Sequence, residues 1–154
     1  MNDGWQTLRF DELAPETLYA ILRLRSEIFV VEQECAYLDM DNLDQQSTHM
    51  LMWQSGKLCA YQRCLPPGAS YLESSIGRIV VDPTLRGKAL GYTLVQRGID
   101  FNTTTWPESG IVIHAQAHLE KFYGRLGFVA EGEAHLEDGI LHRNMRYVTA
   151  PVEK

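Results

Sequence analysis

Residues 79–92 have the sequence Ile-Val-Val-Asp-Pro-Thr-Leu-Arg-Gly-Lys-Ala-Leu-Gly-Tyr. The apolar start predicts a buried strand, and apolar periodicity over 90–104 predicts a helix after a glycine-containing loop. Free N–H groups and the positive end of the helix dipole make a helix N-terminus an anion site. Arg86 and Lys88 add positive charge there, while Gly87 lets a bulky group approach the backbone. The stretch favours a phosphate-binding loop, with a loop that only caps the helix as the alternative.

Two common phosphate-binding motifs do not fit this stretch. The Walker spacing G-x-x-x-x-G-K-[ST] and the dinucleotide fingerprint G-x-G-x-x-G are both absent from it. We therefore expect neither a Walker loop nor a dinucleotide-binding turn.

The rest of the chain alternates between strand-like and helix-like patterns. Runs rich in apolar residues and bounded by turn residues predict strands at 5–10, 48–54, 57–65, 75–82, 111–115, 127–129 and 140–148. Apolar residues at helical spacing predict helices at 15–31, 90–104 and 117–126. This order predicts an α/β domain with a mixed, twisted sheet of about seven strands and helices on both faces.

Length and composition fit one globular domain over residues 1–154. Hydrophobic residues make up 45% and charged residues 22%, which is too apolar for a disordered chain. The longest apolar runs have four residues, far fewer than the roughly 20 of a membrane helix, and the N-terminus lacks signal-peptide features. The three cysteines form no C-x-x-C motif and are expected to be reduced thiols. We expect a cytoplasmic protein without a membrane partner.

Acidic residues dominate one segment of the chain. The net charge is −6, from 20 acidic and 14 basic residues, which argues against a nucleic-acid partner. Between Ser26 and Gly56 there are six acidic residues and no lysine or arginine. Such a segment is either a solvated loop or a surface that attracts a cationic partner.

The loop at 86–91 resembles the acyl-CoA pyrophosphate loop of the GNAT superfamily of N-acyltransferases, R-x-x-G-x-[GA]. Arg86 and Gly91 match this motif, and Ala89 stands in place of its middle glycine. Because the family binds pyrophosphate through backbone N–H groups, an alanine is tolerable there if its φ is negative. The resemblance implies acetyl-CoA as co-substrate, bound by nine residues: Ile79, Val80, Val81, Arg86, Gly87, Lys88, Ala89, Gly91 and Tyr92.

A second block also resembles this superfamily. Residues 116–128 read Gln-Ala-His-Leu-Glu-Lys-Phe-Tyr-Gly-Arg-Leu-Gly-Phe and are similar to its motif N-x-x-A-x-x-F-Y-x-x-x-G-F. Gln116 replaces the usual asparagine and Leu119 the usual alanine. The resemblance implies that Tyr123 is the general acid that protonates the departing CoA thiolate. The alternative is that Tyr123 only packs against its aromatic neighbours.

The N-terminal half is similar to the ElaA-like branch of the superfamily. The matching residues are Arg25, Phe29, Val30, Val31, Glu32, Gln33, Tyr37, Asp39, Asp41, Asp44 and His49. The resemblance spans residues 5–148 and implies the GNAT fold and direct acyl transfer in a ternary complex. Pantetheine would then lie between strands 79–81 and 111–115, with a backbone N–H near Val81 facing the thioester oxygen.

The acceptor side is less determined by the sequence. The resemblance implies a primary amine as acceptor, and we assign five residues to its site: Arg25, Glu32, Gln33, Asp41 and His49. Arg25 falls on the apolar face of its helix and needs an anion, either an internal carboxylate such as Glu32 or Asp41 or the acceptor's own carboxylate. Candidates for the general base are Glu32, Glu73, His49 and His118.

Other functions are weighed against the same residues. No metal is expected, since the five histidines show no ligand spacing. A non-catalytic acyl-CoA sensor would keep the loop but would not need Tyr123, and an interaction domain would use only the acidic segment. An acyltransferase that forms homoserine lactones is a more distant alternative, and a homodimer is left open. The presence of both motifs favours an enzyme.

Overall fold

Seven strands form two sheets in the structure, a computed structural model that describes residues 3–87 and 89–148. The strands are β1 (Gly4–Arg9), β2 (Thr48–Gln54), β3 (Lys57–Leu65), β4 (Ser75–Val81), β5 (Val112–Gln116), β6 (Phe128–Glu137) and β7 (Ile140–Tyr147). The α-helices are α1 (Pro15–Arg25), α2 (Leu90–Thr105) and α3 (Glu120–Arg125). The predicted number of strands is confirmed. β6 is longer than the predicted strand 127–129 because it pairs with β7 along most of its length.

Both sheets are built from antiparallel pairs. The first has the order β1-β2-β3-β4 and the second the order β5-β7-β6. Ser55 and Gly56 have φ values of 52° and 75°, which suit the type I′ turn of a two-residue hairpin. Asp138 and Gly139 make the equivalent turn between β6 and β7, with φ values of 50° and 79°. Both hairpins lie where turn residues predict them.

The two sheets join at one end of β4 and β5. Ser74 and Ile111 form a parallel bridge, in which the N–H of Val112 donates to the carbonyl of Ser74 at 2.9 Å. The buried Asn102 of α2 fastens this junction, because its Nδ2 donates to Ser74 Oγ at 3.2 Å and to the Ser75 carbonyl at 3.1 Å. Beyond the bridge, within the described residues, β4 and β5 do not pair. The two strands therefore open into a cleft.

A β-bulge interrupts β4 beside this cleft. Tyr61 pairs with Val80 and Arg63 with Gly77, so one residue of β3 faces two residues of β4. Arg78, in the bulge, has a φ of 52°. The extra residue reverses the alternation of side chains, so that Val80 packs on the side of α1 although Ile76, four residues earlier, packs on the side of α2.

Helices cover both faces of the first sheet, as predicted. Ile21, Leu24 and Ile28 pack with Leu51, Tyr61 and Val80 on one face. Val95 and Ile99 of α2 pack with Met50, Cys64 and Ile76 on the other. A Cβ at Gly98 would lie 2.5 Å from Gln62 Nε2 and 2.9 Å from Ile76 Cδ1, so α2 approaches the sheet at a distance that only glycine allows.

The first predicted helix, residues 15–31, is confirmed in position, but only its first part is an α-helix. α1 begins with Pro15 at its first turn, where a proline needs no partner for its missing N–H. From Ser26 to Glu32 the chain continues as a π-helix. π-helical turns are rare and occur frequently at functional sites. Here the segment brings Glu32 to the cleft.

Candidate active site

A cleft of about 1020 Å³ lies between β4 and β5. Its walls are the inner edge of β4, the opposite side of β5, the π-helical segment, the loop before α2, and α3. The β6–β7 turn and part of the acidic loop, residues 34–46, also line it. Of the residues predicted to bind acetyl-CoA, eight line this cleft: Ile79, Val80, Val81, Arg86, Gly87, Ala89, Gly91 and Tyr92. Lys88 lies outside the described residues.

The loop before α2 ends in an unusual helix start. Ala89 is the N-cap of α2 and has a φ of 61°, in the left-handed region. The condition of a negative φ for an alanine at this position is therefore not met. A left-handed φ costs an alanine about 1–2 kcal/mol, whereas the family's glycine adopts it freely. The loop therefore carries backbone strain at Ala89.

Arg86 reaches across the cleft. Its Nη1 lies 2.9 Å from Glu32 Oε2, and its Nε donates to the carbonyl of Val81 at 3.3 Å. Both charged side chains are about half-exposed. Arg86 thus connects the loop to the π-helical segment and to the end of β4.

Two tyrosines occupy the side of the cleft near α3. Tyr92 packs against Phe122 with ring centroids 4.6 Å apart, and its hydroxyl accepts from Arg125 Nη1 at 2.9 Å. Tyr123 is 6% exposed and packs edge-on against Phe122 and Phe128. Its hydroxyl makes no hydrogen bond to any residue in 3–87 or 89–148. Burial raises the pKa of Tyr123 above its ordinary value of 10, so the phenol keeps its proton at neutral pH.

The acidic loop is paired rather than solvated. Arg25 is fully buried, and its guanidinium contacts Asp39 Oδ2 and Asp44 Oδ1, each at 2.8 Å. These partners differ from Glu32 and Asp41, the two carboxylates that the sequence suggested for Arg25. In the structure, Glu32 pairs with Arg86 and Asp41 pairs with Arg63. The internal-carboxylate alternative therefore describes Arg25 in this structure.

Two more arginines complete this ionic network. Arg63 Nη1 donates to Asp41 Oδ1 and to Asp44 Oδ1, both at 2.8 Å. Arg78 contacts Asp39 at 2.8 Å and Asp41 at 3.4 Å. Burial alone would raise the pKa of Asp41, but Arg63 and Arg78 together hold it at about 2. Three arginines thus neutralise three aspartates at the base of the cleft.

His49 lies behind the cleft and not on its wall. It is fully buried; its Nε2 lies 2.9 Å from the carbonyl of Asp44 and its Nδ1 lies 2.6 Å from Tyr61 Oη. Because a carbonyl only accepts, Nε2 carries the proton and Nδ1 accepts from the tyrosine. Burial lowers the pKa of His49, so the ring is neutral. Both of its nitrogen atoms are used by the fold.

The remaining acceptor-side residues are distributed unevenly. Glu32, Gln33, Asp41 and His118 line the cleft. Gln33 Oε1 also accepts from Gln116 Nε2 at 3.3 Å. Arg25, His49 and Glu73 do not line it, and Glu73 pairs with Arg146 at 2.8 Å.

One group of side chains was not found from the sequence. His114, His135 and Glu137 come together where β5 and the β6–β7 hairpin line the cleft, with His142 beside them. Burial, followed by the neighbouring His142, lowers the pKa of His114. Asp138-Gly139 is a usable signal in the sequence, because a two-residue hairpin there places His135 opposite His142.

Solved structures identify the class to which this fold and cleft belong. An acyl-CoA N-acyltransferase from Pseudomonas aeruginosa matches with a TM-score of 0.89 at 40% identity, over 94% of this chain and 98% of that one. Escherichia coli ElaA matches with a TM-score of 0.88 at 38% identity and the same coverage. The fold is that of the acyl-CoA N-acyltransferases. Within the described residues, no helix is long and apolar enough to cross a membrane.

Comparison of the sequence with known families and proteins shows the family to which the chain belongs. Residues 16–149 match the acetyltransferase (GNAT) domain family. Protein ElaA of Escherichia coli (strain K12) is 40% identical over 143 residues, which cover 92% of this chain and 94% of ElaA. The chain belongs to the GNAT acetyltransferase family, as its two motifs predicted.

Proposed function

We propose that this chain is an N-acetyltransferase that moves the acetyl group of acetyl-CoA to a primary amine by direct attack in a ternary complex. Residues 1–154 would form its one catalytic domain. The observation that carries the proposal is the cleft between β4 and β5, which joins a helix N-terminus suited to phosphate to a buried tyrosine.

The loop before α2 is the proposed site of the pyrophosphate. α2 has sixteen residues, so its N-terminal N–H groups and dipole favour a negative charge. Arg86 would exchange its contact with Glu32 for one with phosphate, and Lys88 would add a second charge. Gly91 has Phe122 Cζ 3.4 Å from the position of a Cβ, so a larger side chain there would crowd α3.

The free edge of β4 is the proposed site of pantetheine. Val80 and Val81 pair with β3 on one side only, which leaves the other edge of β4 open toward the cleft. An extended amide-containing chain can pair with such an edge as an added strand does. We place the thioester oxygen near the backbone N–H of Val81. One such donor is worth about 2.7–4 kcal/mol to acyl transfer in other enzymes.

The reaction needs two proton transfers. The amine nitrogen attacks the thioester carbon, and the electron pair of the C=O bond moves to oxygen. The pair then returns to re-form the C=O bond as the C–S bond breaks, and the departing thiolate takes the proton of Tyr123 Oη. The amine gives up one proton as the amide forms, so the protons balance. We assign this acceptance to one of the cleft-lining candidates, His118 or Glu32.

Glu32, Gln33 and Asp41 would form the acceptor wall of the cleft, with Arg25 and His49 supporting it from behind. The net charge of −6 supports a small-molecule or protein acceptor over nucleic acid. The three free thiols, Cys35, Cys59 and Cys64, support a cytoplasmic location.

Thermal unfolding with saturating ligands tests the co-substrate site. Acetyl-CoA and CoA should each raise the melting temperature, whereas ATP and NAD should not. Ligand at about 100 times Kd adds about 2.7 kcal/mol. A panel of primary amines, assayed by thiol release, then tests transfer. A shift with CoA but no thiol release with any amine would favour the acyl-CoA sensor, and no shift would overturn the proposal.

A further inference from the structure

Three potential metal ligands converge on one wall of the cleft. His114 Nε2 lies 3.0 Å from His135 Nε2, 3.7 Å from Glu137 Oε2, and His135 Nε2 lies 3.9 Å from the same oxygen. His135 and Glu137 are two residues apart on β6, so both side chains point to the same face. His114 reaches them from β5, across the central strand β7.

The separations are those of ligands around one ion. Zinc–nitrogen and zinc–oxygen bonds of about 2.0–2.2 Å place tetrahedral ligands roughly 3.3–3.5 Å from one another. The three observed distances lie on either side of this value. Glu137 Oε2 is beyond hydrogen-bonding distance from both imidazoles, yet it is nearly equidistant from them. A hydrogen-bonded carboxylate would instead approach one nitrogen to about 2.7–2.9 Å.

The residues around the three side chains hold His114 in place and leave the site accessible to an ion. His142 packs on His114 with ring centroids 4.5 Å apart, and its Nδ1 donates to the carbonyl of Ile140 at 2.8 Å. The side chains of His114, His135 and Glu137 are 28%, 49% and 53% exposed. A fourth coordination position would therefore open toward solvent and the cleft, as in zinc sites with three protein ligands.

We propose that His114, His135 and Glu137 form a binding site for a divalent transition-metal ion, with Zn²⁺ as the ion that two imidazoles and one carboxylate suit best. The ion would connect β5 to the end of β6. Because His114 and Glu137 also line the acyl-transfer cleft, the open coordination position of the ion would face the space assigned to the acceptor. The binding itself does not depend on acetyl transfer.

Calorimetric titration of Zn²⁺ into the full chain, prepared without a histidine tag and stripped with a chelator, tests the site. We expect one ion per chain. His135→Ala and Glu137→Gln should each weaken binding by at least about tenfold, since even the loss of a residue that only supports a ligand costs 10–100-fold. Both changed side chains are half-exposed, and unfolding temperatures measured with chelator should confirm that the variants fold.

Two variants serve as controls. Glu133→Gln removes a carboxylate of the same strand that does not belong to the three-ligand group, and it should bind Zn²⁺ as the parent chain does. Cys35→Ser should also bind normally; it is needed because Cys35 Sγ lies 3.2 Å from the Asp138 carbonyl, next to Glu137. The Co²⁺ complex should show tetrahedral absorption without a thiolate band. No binding to the parent chain, a smaller loss in either ligand variant, or a loss in Cys35→Ser would overturn the proposal and leave a histidine–histidine hydrogen bond only.

Discussion

Arg86 and Glu32 face each other across the cleft, with Nη1 and Oε2 2.9 Å apart, so the arginine expected at the pyrophosphate is already engaged by a carboxylate. CoA would have to compete with this ion pair. Exposed pairs of this kind are worth at most about 1 kcal/mol, or roughly fivefold in an equilibrium constant. We therefore expect the pair to lower the affinity for CoA without preventing binding.

Glu32→Gln should tighten CoA binding, because it removes the competing charge and leaves Arg86 free for phosphate. We expect the calorimetric Kd of CoA to fall by up to about fivefold. Arg86→Gln should raise the Kd of CoA, because it removes the positive charge expected at the phosphate. Glu27→Gln, which removes a carboxylate paired with Arg23 on the same segment, is the matched control and should leave Kd unchanged. An equal Kd in Glu32→Gln and the parent chain would show that the pair does not compete with CoA.

Tyr123→Phe should lower kcat with little change in the KM for acetyl-CoA. The variant keeps the ring that packs on Phe122 and Phe128 but loses the proton needed by the thiolate. A general acid contributes about 10²–10⁴-fold, so we expect a loss of at least 100-fold. Tyr147→Phe is the control, since Tyr147 also packs against Phe128 but does not line the cleft. An unchanged kcat would assign Tyr123 a packing role alone.

Ala89→Gly should stabilise the chain, because a glycine adopts the left-handed φ of this position without strain. The relief of about 1–2 kcal/mol is partly offset by the greater freedom of glycine in the unfolded chain. A rise in melting temperature of roughly 2–4 °C is expected. Ala134→Gly, at an exposed strand position without a positive φ, should lower the melting temperature instead. Equal shifts in the two variants would contradict the strain at Ala89.

Acid should weaken the fold through the ionic network. The pKa of Asp41 is about 2 in the folded chain against an ordinary 3.8, and the pKa of Asp44 is also lowered. A depressed folded pKa contributes stability above the unfolded pKa, and this stability is lost as pH falls through the folded value. The urea midpoint should therefore drop between about pH 4 and pH 2.

Asp41→Asn provides the matching test of that pH dependence. It should lower the urea midpoint at pH 7 and flatten its decline between about pH 4 and pH 2, because one of the titrating carboxylates is gone. Asp11→Asn, which removes an exposed partner of Arg9, should leave the shape of the curve unchanged. A decline as steep in Asp41→Asn as in the parent chain would place the acid-sensitive carboxylates elsewhere.

The strands and helices could be predicted because their signals are local. Alternation and turn residues predicted the strands, and helical spacing predicted the helices. The β4 bulge could not be predicted, because Arg78, which lies in it, contacts Asp39 and Asp41 of a loop that is distant in the sequence. The positive φ of Ala89 likewise follows from the geometry of the loop rather than from alanine itself.

In the candidate site, too, the residues that could be predicted are those whose signals are local in the sequence. Two motifs predicted the loop and Tyr123, since each motif is contiguous in the chain. The anionic partners of Arg25 lie 14 and 19 residues away in a loop with several acids, and only the fold selects Asp39 and Asp44. His114 and His135 are 21 residues apart and meet only through the strand order β5-β7-β6.

The bulge at Arg78 makes β4 a shared wall of two hydrophobic interiors. Ile76 belongs to the interior under α2, and Val80, four residues later, belongs to the one under α1. In a regular strand, residues four apart would point to the same side. Removing one residue here would send every later side chain to the wrong interior, so the length of this strand is as restricted as its composition.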